Sequence, residues 1–398
     1  MSKPAFLKVF LRECSLIASR KRLRLITLIL PVVSLAIFTF LFGTGVLTDI
    51  PVGIVDHDNS SVSQNISSAI DASPYLKPVQ VSSLEEGKQL MRTASIFALV
   101  YMEKGFGIKA MAGQSPAVPF YYNNDYMSMA SVLLNNVTTI ISTESARLLG
   151  AKLMVAGIPA DGLMGYINPI NVESHTLFNP YMSYNYYLAP SFLFTMLHFF
   201  VLLSALFAFG SELKEATAAN TYRLSGNNMF VMLTAKLLPY TIIYMLLAAF
   251  ICWLIFGYIG LPFTGDARTI AAGSALLVVS YQAMGVVFLA VSGKLLTSLL
   301  SASFYSSTAY TFTGMTFPYI SMFFPAKVWA YVLPLYHFTE IFLGAAMKGQ
   351  SFEQLSEPFI WLCGFTALPI ILLPRLKKLM LNEKNYGDWG GLKIGQLV

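Results

Sequence analysis

The most informative shortage in this 398-residue chain is of charged side chains. Aspartate, glutamate, lysine and arginine make up only 12% of the sequence and 56% of it is hydrophobic, whereas soluble domains carry about 25% charged residues. This composition excludes an ordinary soluble protein and indicates a polytopic membrane protein. The net charge of +6 does not indicate nucleic-acid binding, because the basic residues cluster at the two ends of the chain and not in one patch.

The chain also lacks the motifs of common catalytic and metal sites. Its three cysteines, Cys14, Cys252 and Cys363, are scattered, so we expect neither a disulfide framework nor a metal site built on cysteine. The segment Ser292–Leu295 resembles the end of a phosphate-binding loop, but the first glycine is missing and Leu295 stands where the magnesium-binding hydroxyl is required. We therefore predict that this chain has no ATPase site and binds no metal or cofactor.

Long uncharged apolar runs predict a polytopic α-helical membrane protein with six transmembrane helices, since a span needs roughly 20 apolar residues. The predicted spans are residues 25–48, a helix beginning near Tyr184 in the run 176–211, and the runs 237–265, 269–293, 295–326 and 358–374. Residues 184–375 thus hold helices two to six. The shorter run 328–339 contains Pro334, and we expect it to belong to a re-entrant or interfacial hairpin over residues 327–350.

The basic residues at the chain ends predict the orientation. Seven lysines and arginines precede residue 25 and five follow residue 374, and such clusters stay on the cytoplasmic side of a membrane. Residues 1–24 have amphipathic spacing, which predicts a basic helix on the inner membrane surface, although they also fit a basic tail that only sets topology. Residues 376–398 are then a cytoplasmic tail, and the polar segment 210–228 is a cytoplasmic loop.

Residues 49–183 form the one large polar block, and we expect an α/β extracytoplasmic domain inserted between helices 1 and 2. The block holds 11 acidic and 7 basic residues, and its β-type segments alternate with helical ones. Asp56, His57 and Asp58 suggest a metal or catalytic site, but no second group of ligands accompanies them. A turn and a helix cap explain these residue types better.

Four segments, taken in order, resemble the ABC-2 type exporter permeases. They are residues 51–60 (PVGIVDHDNS), 96–106 (IFALVYMEKGF), 212–240 and 334–338 (PLYHF), and the likeness covers essentially the whole chain. The nearest subgroup is the bacterial drug and lipid efflux permeases with a large periplasmic domain. The resemblance implies an inner-membrane permease subunit, with both termini cytoplasmic, that moves an amphipathic or hydrophobic, drug-like or lipid-like cargo outward.

The resemblance also implies partners. Two separate ABC ATPase subunits would bind ATP and Mg²⁺, and a second permease chain, identical or paralogous, would complete the conduit in membrane lipid. In the subgroup encoded beside membrane-fusion proteins, a periplasmic membrane-fusion protein and an outer-membrane channel would extend the assembly. No nucleic-acid partner is implied.

The resemblance further implies two sets of functional residues. The loop 210–228 would be the coupling loop that docks on the ATPase, with a helix over residues 211–224; its contact residues would be Glu212, Lys214, Glu215, Thr217 and Arg223. A cargo path along spans two and five would use Phe194, Met196, His198, Tyr305, Tyr310 and Phe312, with Glu340 at the outer mouth. The alternatives are a solvated loop with ordinary charges, aromatic side chains that only pack, and a neutral His198 bonded to a neighbouring helix.

Two functions of other classes stay open from the residues alone. A non-transporting membrane scaffold or receptor with a periplasmic interaction domain fits the same topology. A proton-coupled carrier fits less well, because the spans hold few acidic residues and no inverted repeat is visible.

Overall fold

The computed structural model describes residues 4–41, 47–159, 184–315 and 317–387, together with residues 163 and 167. Its internal contacts divide the chain into two compact units. Met1–Gly43 and Tyr184–Val398 make up the first, which we call the helical unit, and Thr44–Ser183 makes up the second, which we call the α/β unit. The predicted tail beyond Gly387 and the last part of the predicted extracytoplasmic domain, residues 168–183, lie outside the described residues.

Two helices begin the helical unit. Helix α1 (Ala5–Ser19) buries one face at a spacing of four residues, formed by Val9, Glu13 and Ile17, which is the pattern of a helix that packs against protein on that side. Its opposite face is exposed and includes Leu11. Arg20 is extended and separates α1 from the apolar helix α2 (Lys21–Phe40).

The α/β unit, as described, contains a four-stranded sheet with helices on both faces. Its elements in chain order are β1 (Ile50–Asp56), α3 (Ser61–Asp71), β2 (Leu76–Gln80), α4 (Leu84–Arg92), β3 (Ala98–Met102), α5 (Phe106–Met111), β4 (Phe120–Tyr122) and α6 (Met127–Val155). The strand order is β2-β1-β3-β4, with β1 parallel to β2 and β3, and β4 antiparallel to β3. Apolar side chains of α3 and α6 cover one face, where Ile54 is buried, and those of α4 cover the other, where Val55 is buried.

The turn after β1 contains two aspartates, Asp56 and Asp58. The Asp56 carboxylate accepts two backbone N–H hydrogen bonds from the turn itself, and the Asp58 carboxylate accepts those of Gly105 and Gly107 at 2.7 and 2.8 Å. A hydrogen bond from Ser60 and these N–H groups hold the pKa of Asp58 below its ordinary value. Both carboxylates therefore close turns, and no group of three or more His, Cys, Asp and Glu suited to a metal occurs among the described residues.

The rest of the helical unit consists of long helices and a helical hairpin. They are α7 (Tyr184–Lys214), α8 (Ala218–Leu224), α9 (Met229–Trp253), α10 (Ala267–Ser292), α11 (Leu295–Ala309), α12 (Phe324–Tyr331), α13 (Pro334–Phe342), α14 (Ser356–Ile371) and α15 (Leu373–Leu381). Short π-helical stretches continue α9 to Tyr258 and α13 to Met347. Helix α10 is central to this unit, because it packs against α7, α9, α11, α13 and α14.

Four described helices are long and apolar enough to cross a membrane. They are α2, α7 from Leu188, α9 with its extension to Tyr258, and α10. The pair α14 and α15, bent by 43°, is a fifth candidate. The chain is therefore a mainly helical protein with four to five candidate spans, as a polytopic membrane protein requires, and the count of six stays a prediction.

The uncharged run 295–326 is not the single helix that its length predicts. Helix α11 ends at Ala309 after 15 residues, which is about 22 Å at 1.5 Å per residue and short of a hydrocarbon core of roughly 30 Å. Gly314, with a φ of +83°, and Pro318 follow, and residues 310–315 and 317–323 contain no α-helix. The chain then forms the hairpin of α12 and α13, and the position of this hairpin relative to a membrane stays a prediction.

Candidate functional site

Four charged side chains from three helices meet inside the helical unit, and we call them the charge cluster: Arg12 and Glu13 of α1, Glu212 of α7 and Lys236 of α9. The Lys236 Nζ lies 2.5 Å from Glu13 Oε2 and 2.7 Å from Glu212 Oε1. Arg12 donates two N–H hydrogen bonds to the Glu212 carboxylate, at 2.6 and 3.2 Å. Lys236 is 0% exposed and the two glutamates are 1% and 2% exposed, so the centre of the cluster is out of water.

Hydroxyl groups complete the hydrogen bonding of both carboxylates. Tyr240 donates to Glu13 Oε1 at 2.8 Å. Thr221 donates to Glu212 Oε2 at 2.9 Å, and Thr217 donates to the same oxygen. Two cations and two carboxylates leave the cluster without net charge, and every carboxylate oxygen has a donor. Buried charges are tolerated under these conditions, because an unpaired one costs several kcal/mol.

The local sequence places each member of the charge cluster. Glu13 lies on the buried stripe of α1, and Glu212 lies in the last turn of α7. Lys236 lies two turns into α9, whose start is fixed by the Asn228 side chain accepting two backbone N–H groups. The Lys236 Nζ also lies 5.9 Å from the centre of the Phe209 ring. The cluster therefore ties the N-terminal helix to the end of one long helix and the start of the next.

The coupling loop is not one helix over residues 211–224, and that prediction is wrong. Helix α7 ends at Lys214, and Ala216 takes a left-handed backbone conformation with a φ of +56° before α8 begins. The Thr217 N–H donates to the Glu212 carbonyl at 2.9 Å, which closes α7 in a tight turn. Two helices therefore meet at Ala216.

Helix α8 has one face inside the helical unit and one face outside it. The buried residues are Ala218, Thr221 and Tyr222, and the exposed ones are Asn220, Arg223 and Leu224. In the turn before α8, Glu215 forms an ion pair with Arg20 at 2.5 Å, and these side chains are 38% and 31% exposed. The outer face of α8 is the surface that a soluble partner can reach.

The five predicted coupling residues divide into two groups. Glu212 belongs to the charge cluster, and Thr217 donates a hydrogen bond to its carboxylate. Lys214 is half-buried, whereas Glu215 and Arg223 are exposed. Docking of an ATPase stays a prediction for all five, and the exposed pair offers the accessible positions at which to test it.

Three of the predicted cargo-path residues are interior packing groups. Phe194 is 1% exposed, and its ring centre lies 4.5 Å from that of Phe338. His198 Nε2 shares a hydrogen bond of 2.7 Å with the Ser306 hydroxyl of α11, which is the bond to a neighbouring helix that was the alternative to a cargo contact. Tyr305 donates to a backbone carbonyl at 2.6 Å and is 4% exposed.

The other predicted cargo-path residues lie nearer the surface of the helical unit. Met196, Tyr310 and Phe312 are half-buried. Glu340 is exposed and accepts a hydrogen bond from the Tyr336 hydroxyl at 2.9 Å. Contact with cargo stays a prediction for all seven residues.

The sequence reasoning missed four residues of the site: Arg12, Glu13, Lys236 and Tyr240. Glu13 is the one acidic residue among the first 24, which also carry seven cations, and Lys236 is the one charged residue between Met229 and Tyr258. A lone charge inside an apolar helix is a reason to look for a partner. A lone carboxylate in a basic helix is a reason to look for a cation. The two observations together could have identified Glu13 and Lys236 as a pair.

Comparison with known proteins gives one family match. The family model described as ABC-2 family transporter protein matches residues 21–373, which is well over half of the chain. A search of curated proteins finds no significant match. The matched range contains Glu212 and Lys236 but not Arg12 and Glu13, so the charge cluster joins a residue pair inside the family region to a pair that precedes it.

Proposed function

The chain belongs to the ABC-2 transporter family, which makes it a transmembrane subunit of an ABC transporter, and on this premise we propose that it is the permease of an ATP-driven exporter. Two separate ABC ATPase subunits would bind it in the cytoplasm, and a second permease chain, identical or paralogous, would complete the conduit. The chain would lie in the bacterial inner membrane with both termini cytoplasmic. Its α/β unit would be periplasmic and would pass cargo to a membrane-fusion protein and an outer-membrane channel.

The observation that carries this proposal is the charge cluster next to α8. Glu212 accepts a hydrogen bond from Thr221 of α8 and also binds Arg12 of α1 and Lys236 of α9. Displacing α8 relative to these helices would take the Thr221 hydroxyl away from the buried Glu212 carboxylate, and a hydrogen bond to a charged group contributes about 1.5–3 kcal/mol. Helix α8 is therefore tied to α1, α7 and α9 and moves with them, as a segment that transmits force from an ATPase must.

The exposed face of α8 supports docking in the same place. Arg223 projects from it and Glu215 lies just before it, so the surface offers charges of both signs to a soluble partner. Charged rims set the register and association rate of such contacts. The buried face packs α8 against the helical unit. The exposed face does not take part in that packing and is accessible to a partner.

We propose an amphipathic or hydrophobic cargo, drug-like or lipid-like. The helices of the proposed path are rich in aromatic rings and methionine, with hydroxyl groups between them. Rings and hydroxyl groups suit a molecule with an apolar body and a few polar groups.

The coupling proposal is tested on the complex with its ATPase. The permease carrying both Arg223→Ala and Glu215→Ala is compared with the unchanged protein for ATPase co-purification and ATP-dependent efflux. We expect both to fall several-fold, because both substitutions remove charges from the accessible surface. Arg92→Ala, an exposed arginine of the α/β unit, is the matched control and should change neither.

Unchanged ATPase association and unchanged efflux in the double variant would refute docking at α8. A chain that never retains an ATPase subunit, whatever its sequence at α8, would instead indicate the non-transporting scaffold.

A further inference from the structure

A polar cavity of about 380 Å³ lies in the helical unit between α13, the start of α14 and the loop that follows α11. Its lining residues include Glu340 and Glu357, Tyr319 and Tyr336, and Lys348. We call this space the tyrosine cavity. Its lining residues include no member of the charge cluster.

The charges of the tyrosine cavity are not balanced. Glu340 and Glu357 face it with one cation, Lys348, so the lining carries a net charge of −1. Among the described residues, neither glutamate has a cation within ion-pair distance. Both glutamates are exposed at the surface of the cavity. A lining with this net charge favours a cation over an anion.

The aromatic lining adds a second attraction for a cation. The ring centres of Tyr319 and Tyr336 lie 5.4 Å apart, and the Tyr336 hydroxyl donates to Glu340 at 2.9 Å. The Lys327 ammonium lies 5.5 Å from the centre of the Tyr319 ring, a cation–π contact that already uses one face of that ring. Tyrosine faces beside carboxylates are the combination that binds organic ammonium and related cations.

The dimensions of the cavity favour an organic cation over a metal ion. About 380 Å³ is within the range of small-molecule pockets, roughly 300–1,000 Å³, and is far larger than a coordination site. Leu343, Leu355 and Pro358 also line the space, and they provide contacts for an apolar body. Metal ligands in groups of three are not found in the described parts of the chain.

We propose that the tyrosine cavity binds an amphipathic organic cation, with its charge between Glu340 and Glu357 and its apolar body on the tyrosine and leucine side chains. That the bound cation is cargo rests on the proposed exporter function. The site then selects cargo by charge, which the aromatic rings of the predicted cargo path do not do.

Equilibrium dialysis of the full chain in phosphatidylcholine nanodiscs tests the binding. The probe is tetraphenylphosphonium, and its matched control is tetraphenylborate, an anion of the same size and shape; binding to empty nanodiscs is subtracted. The double variant Glu340→Gln with Glu357→Gln should bind the cation at least about tenfold more weakly. Lys348→Gln should bind it a few-fold more tightly, because it removes the opposing charge. Glu353→Gln, an exposed carboxylate outside the lining, should bind it normally.

Three results would overturn the site: equal affinity for the anion and the cation, wild-type affinity in the double variant, or no gain in Lys348→Gln. The last variant keeps the test decisive if the double variant fails to fold. A separate experiment tests whether the bound cation is cargo, by measuring ATP-dependent efflux of tetraphenylphosphonium by the complex with its ATPase. Binding without efflux, in a complex that does retain its ATPase, refutes the cargo assignment. Failure to retain an ATPase refutes the exporter function and leaves the dialysis result standing.

Discussion

The charge cluster and the tyrosine cavity use the same kinds of charged groups in opposite ways. In the charge cluster, Lys236 lies within 2.7 Å of two carboxylates and none of the three is more than 2% exposed. In the tyrosine cavity, Glu340 and Glu357 share an open space, and Lys348 is not paired with either. The charges of the charge cluster neutralise one another within the chain. The charges of the tyrosine cavity leave a net negative charge, which a bound cation would neutralise.

This difference separates a structural role from a binding role. Buried, fully paired charges resist any movement that would part them, because each unpaired charge is costly in a region without water. Unpaired charges beside an accessible space lose little by remaining solvated, and they gain a partner when a cation enters. Substitutions should therefore alter stability at the charge cluster and ligand affinity at the tyrosine cavity.

The largest effect is expected from Lys236→Met in the charge cluster. This substitution keeps most of the side-chain volume and leaves Glu13 and Glu212 with Arg12 as their one cation. We expect the free energy of unfolding to fall by about 3–5 kcal/mol, measured by denaturation in mixed detergent micelles. Lys378→Met makes the same chemical change at an exposed position and should cost less than about 0.5 kcal/mol.

A similar loss in both methionine variants would show that the cost comes from the detergent assay or from methionine itself. A small loss in Lys236→Met alone would show that the cluster is hydrated in the protein. The contrast with the tyrosine cavity would then disappear.

The next effect is the rescue of Lys236→Met by Glu13→Gln. The second substitution restores charge neutrality, and glutamine still presents an oxygen to the Tyr240 hydroxyl. We expect the double variant to recover about 1–2 kcal/mol of the loss, which is within the usual coupling energy of residues in contact. Additive losses in the double-mutant cycle would contradict a closed ion-pair network.

Local sequence predicted much of the fold but little of the charge cluster. The spacing of apolar residues and the uncharged runs indicated the long helices, and Asp56 and Asp58 accept the backbone hydrogen bonds that their interpretation as turn residues predicted. The pairs of the cluster are remote in sequence: Arg12 and Glu212 are 200 residues apart, and Glu13 and Lys236 are 223 apart. Periodicity reports the face on which a residue lies, not the side chain that it meets across the fold.

The coupling loop and the uncharged run after residue 294 show a second limit. The lack of charged residues over 295–326 predicted one long span. Helix α11 instead ends at Ala309, and Gly314 and Pro318 lie beyond that end. In the coupling loop, Ala216 adopts a positive φ that alanine rarely takes, and so nothing in the residue type indicated the break. The Thr217 hydroxyl bonds to the Glu212 carboxylate across that turn, and the long-range partners Arg12 and Lys236 hold Glu212 in place.

Added salt should affect the two regions differently. Raising sodium chloride from 50 to 500 mM shortens the Debye length from about 14 Å to about 4 Å. Tetraphenylphosphonium binding at the exposed glutamates should weaken about threefold to fivefold, whereas the coupling energy between Lys236 and Glu13 should stay the same, because salt does not enter a dry interior. The dialysis and the double-mutant cycle are repeated at both concentrations. Equal salt sensitivity would contradict the assignment of one region as dry and the other as open.

The smallest effect is expected at the ion pair of Arg20 and Glu215, beside the charge cluster. Its 2.5 Å separation is as short as the contact between Lys236 and Glu13, but about a third of each side chain is exposed. Water already solvates both charges, so a double-mutant cycle with Arg20→Ala and Glu215→Ala should give a coupling energy of only about 0.2–1 kcal/mol. That energy should vanish at 500 mM salt. A larger and salt-resistant value would place this pair within the dry cluster, and would show that distance, more than burial, decides the energy of an ion pair in this protein.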